Sequence, residues 1–293
     1  MKKYTIVGIG ELLFDVFPDR KALGGAPTNF AFHSQQLGHE AISVSAIGRD
    51  ALGEEIKAEL QARQLPAILQ ETDYPTGTVQ VTLSATGSPT YEISEDVAWD
   101  HIAFTDELRA LAQRTDAVCF GSLAQRHEAS RTAILSFLKA MPEGSLRIFD
   151  INLRLQYYTR ETIHTSLEHA DILKLNDEEV PIVARLLGLE GDMEAVCLQV
   201  LTDYSLRAVI LTRGADGCSI YHEKGSVFHP SACIKVADTV GAGDSFTAGF
   251  VSALLAGRSH LEAVALATRV AAFVSSHHGA MPTLPSEYRV VEA

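Results

Sequence analysis

The chain has 293 residues, 46% hydrophobic and 21% charged, which is enough for one large α/β domain with a small appendage and gives no sign of disorder or fibrous repeat. A formal net charge of −13 and a pI near 5.3 argue against a general affinity for nucleic-acid phosphates or anionic membranes, so neither is an expected partner. Four scattered cysteines (119, 197, 218 and 233) form no C-x-x-C pair, which leaves reduced thiols and a cytoplasmic location as the default expectation.

In chain order, the apolar run from Tyr4 to Gly10 follows Lys2 and Lys3 but is interrupted by Glu11 and Asp15, so it reads as a buried first strand rather than a leader. Further strands are predicted near 41–47, 117–120, 146–150, 171–175 and 208–212, with helices between most of them. A helix over about 27–37 ends at Gly38, and another runs from about 51 to 63 behind Asp50 as an N-cap. Such alternation implies a largely parallel sheet covered by helices.

Two segments break the rhythm, about 11–23 and 76–97. In the second, Val79, Val81 and Leu83 alternate with polar residues, and the turn signal Thr86-Gly87-Ser88-Pro89 leads to a hairpin partner at Tyr91–Ile93. These pieces fit a small sheet, either a mobile cover or a static edge. The longest apolar stretch, Ser245–Gly257, is too short to cross a bilayer. No repeat or linker divides the chain, so residues 1–293 are expected to form one domain carrying both segments.

The strongest chemical signal is Asp238-Thr239-Val240-Gly241-Ala242-Gly243-Asp244, after which the pattern turns helical. Gly241 and Gly243 around Ala242 let successive amides converge at a helix N-terminus, a cradle for phosphate, and place Asp244 where it can take a proton from an attacking hydroxyl. A glycine turn with Asp244 as a simple helix cap is the competing reading. There is no G-x-x-x-x-G-K-[ST], and Gly8-Ile9-Gly10 lacks the third glycine of a dinucleotide fingerprint. Gly24-Gly25-Ala26-Pro27-Thr28-Asn29 opens another helix, where glycines permit close ligand approach and Asn29 and Asp15 suit sugar hydroxyls; a turn and a solvated charge are the alternatives. Arg154, after the strand ending at Asp150, falls on the ligand-binding edge of such a sheet and suits a substrate anion or phosphate, against a surface ion pair.

GGAPTN, the G-x-D-x-x-G of Gly48–Gly53 and DTVGAGD, in this order, resemble the signatures of the ribokinase-like (PfkB) carbohydrate kinases across almost the whole chain. Asn176–Glu179 resembles the family's N-x-x-E element, and Thr212–Gly217 its T-x-G-x-x-G loop. The resemblance implies a doubly wound α/β domain with a β lid, and a substrate pair of ATP and a small-molecule sugar. It implies that Asp15, Gly24, Gly25 and Asn29 hold the sugar, that Asp244 is the base, and that Gly241, Ala242 and Gly243 stabilise the phosphoryl group. Asn176, Thr212, Gly214, Gly217 and His277 would meet the nucleotide, with Glu179 organising Mg²⁺ through water. An exposed helix charge is the alternative for Glu179. Asp238 resembles the monovalent-cation (K⁺) site, against a turn cap. The resemblance also brings a homodimer through the lid. Ala26-Pro27, Pro75–Val79 and Val97–Asp100 are closest to fructokinase-like members, implying D-fructose as substrate, with 2-keto-3-deoxygluconate as runner-up and a non-catalytic sugar- or nucleotide-binding regulator as the reading from another class.

Overall fold

The computed structural model describes residues 2–83 and 89–291. The chain opens with β1 (Thr5–Ile9), β2 (Leu13–Val16), β3 (Lys21–Gly24), α1 (Ala26–Gln36), β4 (Glu40–Gly48), α2 (Ala51–Ala62), β5 (Ala67–Thr72), β6 (Gly77–Leu83) and β7 (Pro89–Ile93). It continues through α3 (Asp106–Ala112), β8 (Ala117–Phe120), α4 (Glu128–Ala140), β9 (Leu146–Asp150), α5 (Arg160–His169), β10 (Ile172–Asn176), α6 (Val180–Leu187) and α7 (Met193–Asp203). Then follow β11 (Ala208–Thr212), β12 (Cys218–His222), β13 (Gly225–His229), α8 (Ala242–Leu255) and α9 (His260–Ser275).

Nine strands form one sheet in the order β13-β12-β11-β10-β9-β8-β1-β4-β5, parallel from β11 to β5 and antiparallel at β12 and β13. Side chains alternate between its faces, as a pleated strand requires. Val7, Phe149, Leu173 and Val209 join a core under α3 to α7, while Ile6, Ile148, Ile172 and Ile210 join another under α1, α8 and α9. Helices therefore cover both faces, and each fully buried Ile, Leu or Phe contributes about 1.5–3 kcal/mol. The sheet is doubly wound: from β1 the chain moves outward to β4 and β5, then returns at β8 and moves the other way to β9, β10 and β11. The reversal falls between β1 and β8, so the crevice beyond their carboxyl ends is the expected ligand site.

All six predicted strands form, whereas β5, β12 and β13 were not anticipated. A smaller sheet has the order β3-β2-β6-β7 and is built from the two segments that broke the alternation. Its β6–β7 pair is antiparallel with Val81 opposite Tyr91, and β6 also runs parallel to β2. The turn at Thr86-Gly87-Ser88 lies outside the described residues. Glu11 and Leu12, at the start of the first segment, are buried instead at the crevice between the sheets. Asp50 caps α2 by accepting from Gly53 N at 2.8 Å, and Gly38 leaves α1 with φ 106°. Among the described residues no helix is long and apolar enough to cross a membrane.

Candidate active site

Helix α1 begins at Gly25, with Pro27 in its first turn, and carries Asn29 toward the carboxyl end of β1. Helix α8 begins at Gly241 on the same face of the sheet. The two starts meet: Asn29 Nδ2 donates to Asp244 Oδ2 at 2.8 Å, joining GGAPTN to GAGD across 215 residues of sequence. Asp244 is thus the third residue inside α8 and caps nothing with its side chain; the N-cap is Gly241, with φ 76°. A side chain at Gly241 would be strained by that φ and would crowd Ala280 O, 2.7 Å from the Cβ position.

At this helix start the Ala242 amide donates to Thr239 O at 3.2 Å. The amides of Gly241, Gly243 and Asp244 have no partner among the described residues, and they stand at the positive end of the helix dipole. Main-chain donors placed in this way are able to hold an anion. Beneath it, Lys174 Nζ donates to both oxygens of Asp150 at 2.8 Å, and Thr247 Oγ1 donates to Asp150 Oδ2 at 3.0 Å. Lys174 Nζ lies 3.0 Å from the Cβ position of Gly243, so the pair packs against the first turn of α8 and a side chain there would have to displace the ammonium by a few tenths of an ångström. Burial works against the Lys174 ammonium, but Asp150 outweighs it, and the Lys174 pKa lies above the ordinary value.

Burial raises the Asp244 carboxyl to about 6; Asp150 pushes the same way, and the Asn29 hydrogen bond, Lys174 and Arg154 oppose them. Asp15, on β2, sits with Oδ2 2.7 Å from the Cβ position of Gly24 and is likewise raised, by burial against the pull of Arg154. Arg154 is exposed and has no carboxylate partner within ion-pair distance among the described residues, so the surface-bridge reading fails. Its guanidinium nevertheless acts on Glu11, Asp15 and Asp244. Asn152 and Leu155, on either side of it, hold φ of 42° and 48°, which fixes the loop's turn off β9.

Asn176 and Glu179 form a reciprocal cap at the end of β10. Glu179 N donates to Asn176 Oδ1 at 2.9 Å, and Glu179 Oε2 accepts from Asn176 N at 2.8 Å. Glu179 Oε1 accepts from Leu153 N at 2.8 Å, which ties this element to the Arg154 loop. Glu179 is buried, not an exposed helix charge, and burial raises its pKa. Thr212 is the register partner of Asn176, and Gly214 and Gly217, with φ of 50° and 88°, shape the turn that follows it on the same sheet edge. Asp238 accepts from Val240 N at 3.0 Å and from Gly279 N at 3.1 Å, pinning the loop before α8 to the segment after α9. A cleft of about 620 Å³ opens there, lined by Ile234, Lys235, Val236, Ala237, Ser276 and His278. His277 adjoins it, exposed, with Nδ1 on Phe273 O at 2.8 Å. Among the described residues no group of three or more His, Cys, Asp or Glu could hold a metal ion.

Sequence reasoning missed four contributors. Lys174 was signalled by a charge inside an apolar strand, and its partner Asp150 lies in register on β9. Glu11 was legible only as an interruption, and Ile234–Ala237 as an unremarked run before the glycine loop.

The description "pfkB family carbohydrate kinase" matches residues 10–287. An ATP-dependent 6-phosphofructokinase of Thermoanaerobacterium thermosaccharolyticum is 29% identical, over 97% of this chain and 92% of its own. The Arabidopsis thaliana protein named Probable fructokinase-5 is 30% identical, over 96% of this chain and 94% of its own. The structure of an uncharacterized sugar kinase from Pyrococcus horikoshii in complex with ATP superimposes with a TM-score of 0.83 at 28% identity, covering 94% of each chain.

Proposed function

The chain belongs to the pfkB family of carbohydrate kinases and is a sugar phosphotransferase, and on that premise we propose that it transfers the γ-phosphoryl group of ATP to the primary hydroxyl of D-fructose with Asp244 as the base. The observation that carries this reading is the Asn29–Asp244 hydrogen bond. In this reading Asp244 Oδ1 meets the attacking hydroxyl, the Asn29 amide binds the sugar beside it, and the amides of Gly241, Gly243 and Asp244, without partners among the described residues, hold the phosphoryl oxygens.

In the proposed step the sugar oxygen attacks the γ-phosphorus in line, the bond to the β,γ-bridging oxygen breaks, and ADP leaves. The hydroxyl proton passes to Asp244, whose pKa near 6 keeps it ionised at neutral pH yet basic enough to accept. The amides of Gly241, Gly243 and Asp244 hold the transferring oxygens, with charge supplied by the α8 dipole. Asp15, Gly24 and Gly25 complete the sugar side. Asn176, Thr212, Gly214 and Gly217 lie along the phosphates, and the 620 Å³ cleft beside His277 takes the adenine.

Mg²⁺ accompanying ATP would neutralise phosphate charge. Glu179 fits a role through that ion's water, because both of its oxygens already accept main-chain N–H groups. Asp238 and its neighbouring carbonyls form the candidate K⁺ position. The small sheet, which carries Asp15, closes over the sugar to exclude competing water.

A second reading is favoured by Arg154, a cation without a carboxylate partner in hydrogen-bond reach among the described residues: an acceptor bearing its own anion, such as 2-keto-3-deoxygluconate or fructose 6-phosphate. A coupled assay of ADP release over D-fructose, D-ribose, 2-keto-3-deoxygluconate, fructose 6-phosphate and nucleosides tests both. Highest kcat/KM with D-fructose is the expected result; preference for an anionic acceptor transfers the role to Arg154. ADP release with none of them would leave a binding regulator.

A further inference from the structure

The reversal of strand order puts the loop after β1 at the mouth of the crevice, and its first side chain is Glu11. Glu11 is only 3% exposed, and its Oε2 has no hydrogen-bond partner among the described residues. A buried carboxyl oxygen without a partner is destabilising, so its persistence points to a partner that arrives from outside the chain. The surroundings show where. The Cβ position of Gly25 collides with Glu11 O, so the start of α1 lies directly against this residue. The charges that act on it are Arg154 from the β9 loop and Asp244 from α8. Asp15, four residues on, is coupled to the same Arg154.

Contact with the start of α1 accounts for only part of it: the Glu11 and Ala26 amides favour the carboxylate, and Oε2 is still left without a hydrogen-bond partner among the described residues. Burial raises Glu11 to about 7, while the amides of Glu11 and Ala26 and the Arg154 guanidinium pull only partly against it and Asp244 adds to the rise. A pKa of about 7 lets the group donate or accept near neutral pH.

We propose that Glu11 is a specificity-determining residue that hydrogen-bonds a hydroxyl of the sugar acceptor, on the side of the ring away from the α8 amides. The proposal rests on the kinase reading above. With Asp15 and Asn29 it makes a set of three polar side chains from β2, α1 and the β1 loop, enough to fix a polyol's orientation, since a site built to bond a hydroxyl rejects an analogue lacking it.

The test compares wild type, Glu11→Leu and Glu11→Gln with D-fructose, D-ribose, 2-keto-3-deoxygluconate and fructose 6-phosphate, then with monodeoxy analogues of the acceptor turned over best. Glu11→Leu should raise KM for the acceptor roughly 10- to 100-fold. KM for ATP should stay within about twofold and the unfolding midpoint should change little, because loss of the contacts to the Glu11 and Ala26 amides is offset by removal of a buried carboxyl with one unpaired oxygen. Glu11→Gln, which keeps a donor and an acceptor, should lose less. For one monodeoxy analogue, discrimination present in wild type should vanish in Glu11→Leu. An acceptor KM within twofold of wild type overturns the proposal, as does a parallel rise for both substrates with a lower midpoint, the signature of a structural role. If Glu11→Leu misfolds, Glu11→Gln and the deoxy series decide by the same criteria. Wild type that turns over none of the four acceptors removes the proposed acceptors, and this proposal with them; normal turnover with silent Glu11 variants removes only this one.

Discussion

Asp244 combines two properties that pull against each other. Held at about 6 by burial and by Asp150, its carboxylate is ready to take a proton but unfavourable to keep charged in the folded chain. Asp244→Asn should lower kcat by roughly 10²–10⁴-fold, the span of a general base, in the ADP-release assay. The same change should stabilise the fold by about 1–3 kcal/mol above pH 6, where the wild-type group is ionised, and the gain should fade as pH falls from 6 toward 4, because the folded group is then protonated and the unfolded one begins to be. Urea unfolding at pH 7.5 and pH 4.5 checks the sign. Asn29 acts on this group from α1, and its amide lowers the Asp244 pKa. In Asn29→Ala the acid limb of kcat/KM should therefore move above 6, while acceptor affinity drops and ATP affinity changes little by calorimetry.

At the scale of elements, the G-x-D-x-x-G segment gains a physical reason. Asp50 Oδ1 accepts from Gly53 N at 2.8 Å and from Thr76 Oγ1 at 2.7 Å, and Oδ2 accepts from Thr76 N at 2.8 Å. Thr76 Oγ1 in turn accepts from Gly48 N at 2.9 Å. One carboxylate thus starts α2 and fixes the entry to β6. Asp50→Ala should cost about 1–3 kcal/mol in urea unfolding, a lost cap plus stranded Thr76 donors, and should raise acceptor KM more than ATP KM. The six inner strands were legible because β-branched runs recur between helical patterns. Strand β5, with Gln70-Glu71-Thr72 at its end and partial exposure throughout, has too little apolar contrast to be read. The β12–β13 hairpin turns at Glu223-Lys224 without a strong turn dipeptide. Of the site, the two glycine-rich helix starts were visible because local chemistry makes them. Lys174 with Asp150, and the burial of Glu11, depend on strands and a helix brought together from distant sequence, which no local pattern records.

Across the whole molecule, buried ionisable groups oppose each other in acid. His33 and His39 are held neutral by burial, with pKa values of about 4, so their contribution to stability is lost as pH falls from 6.5 toward 4. Glu11, at about 7, and Asp244, at about 6, bind protons more tightly in the folded chain, so acidification over a similar range stabilises it through them. The double variant Glu11→Gln/Asp244→Asn should be more stable than wild type at pH 8 and should lose stability more steeply between pH 7 and 4.5, as read from urea midpoints against pH. The mixed pairing of the small sheet has a consequence in time. Strands β2 and β3 pair locally, but β6 reaches β2 only after α1, β4, α2 and β5 have been laid down, so closing this loop comes late in folding. The small sheet is then the last section to assemble and the first to release, and its amides should exchange with deuterium well before those of β1 and β4, without the rest of the chain unfolding.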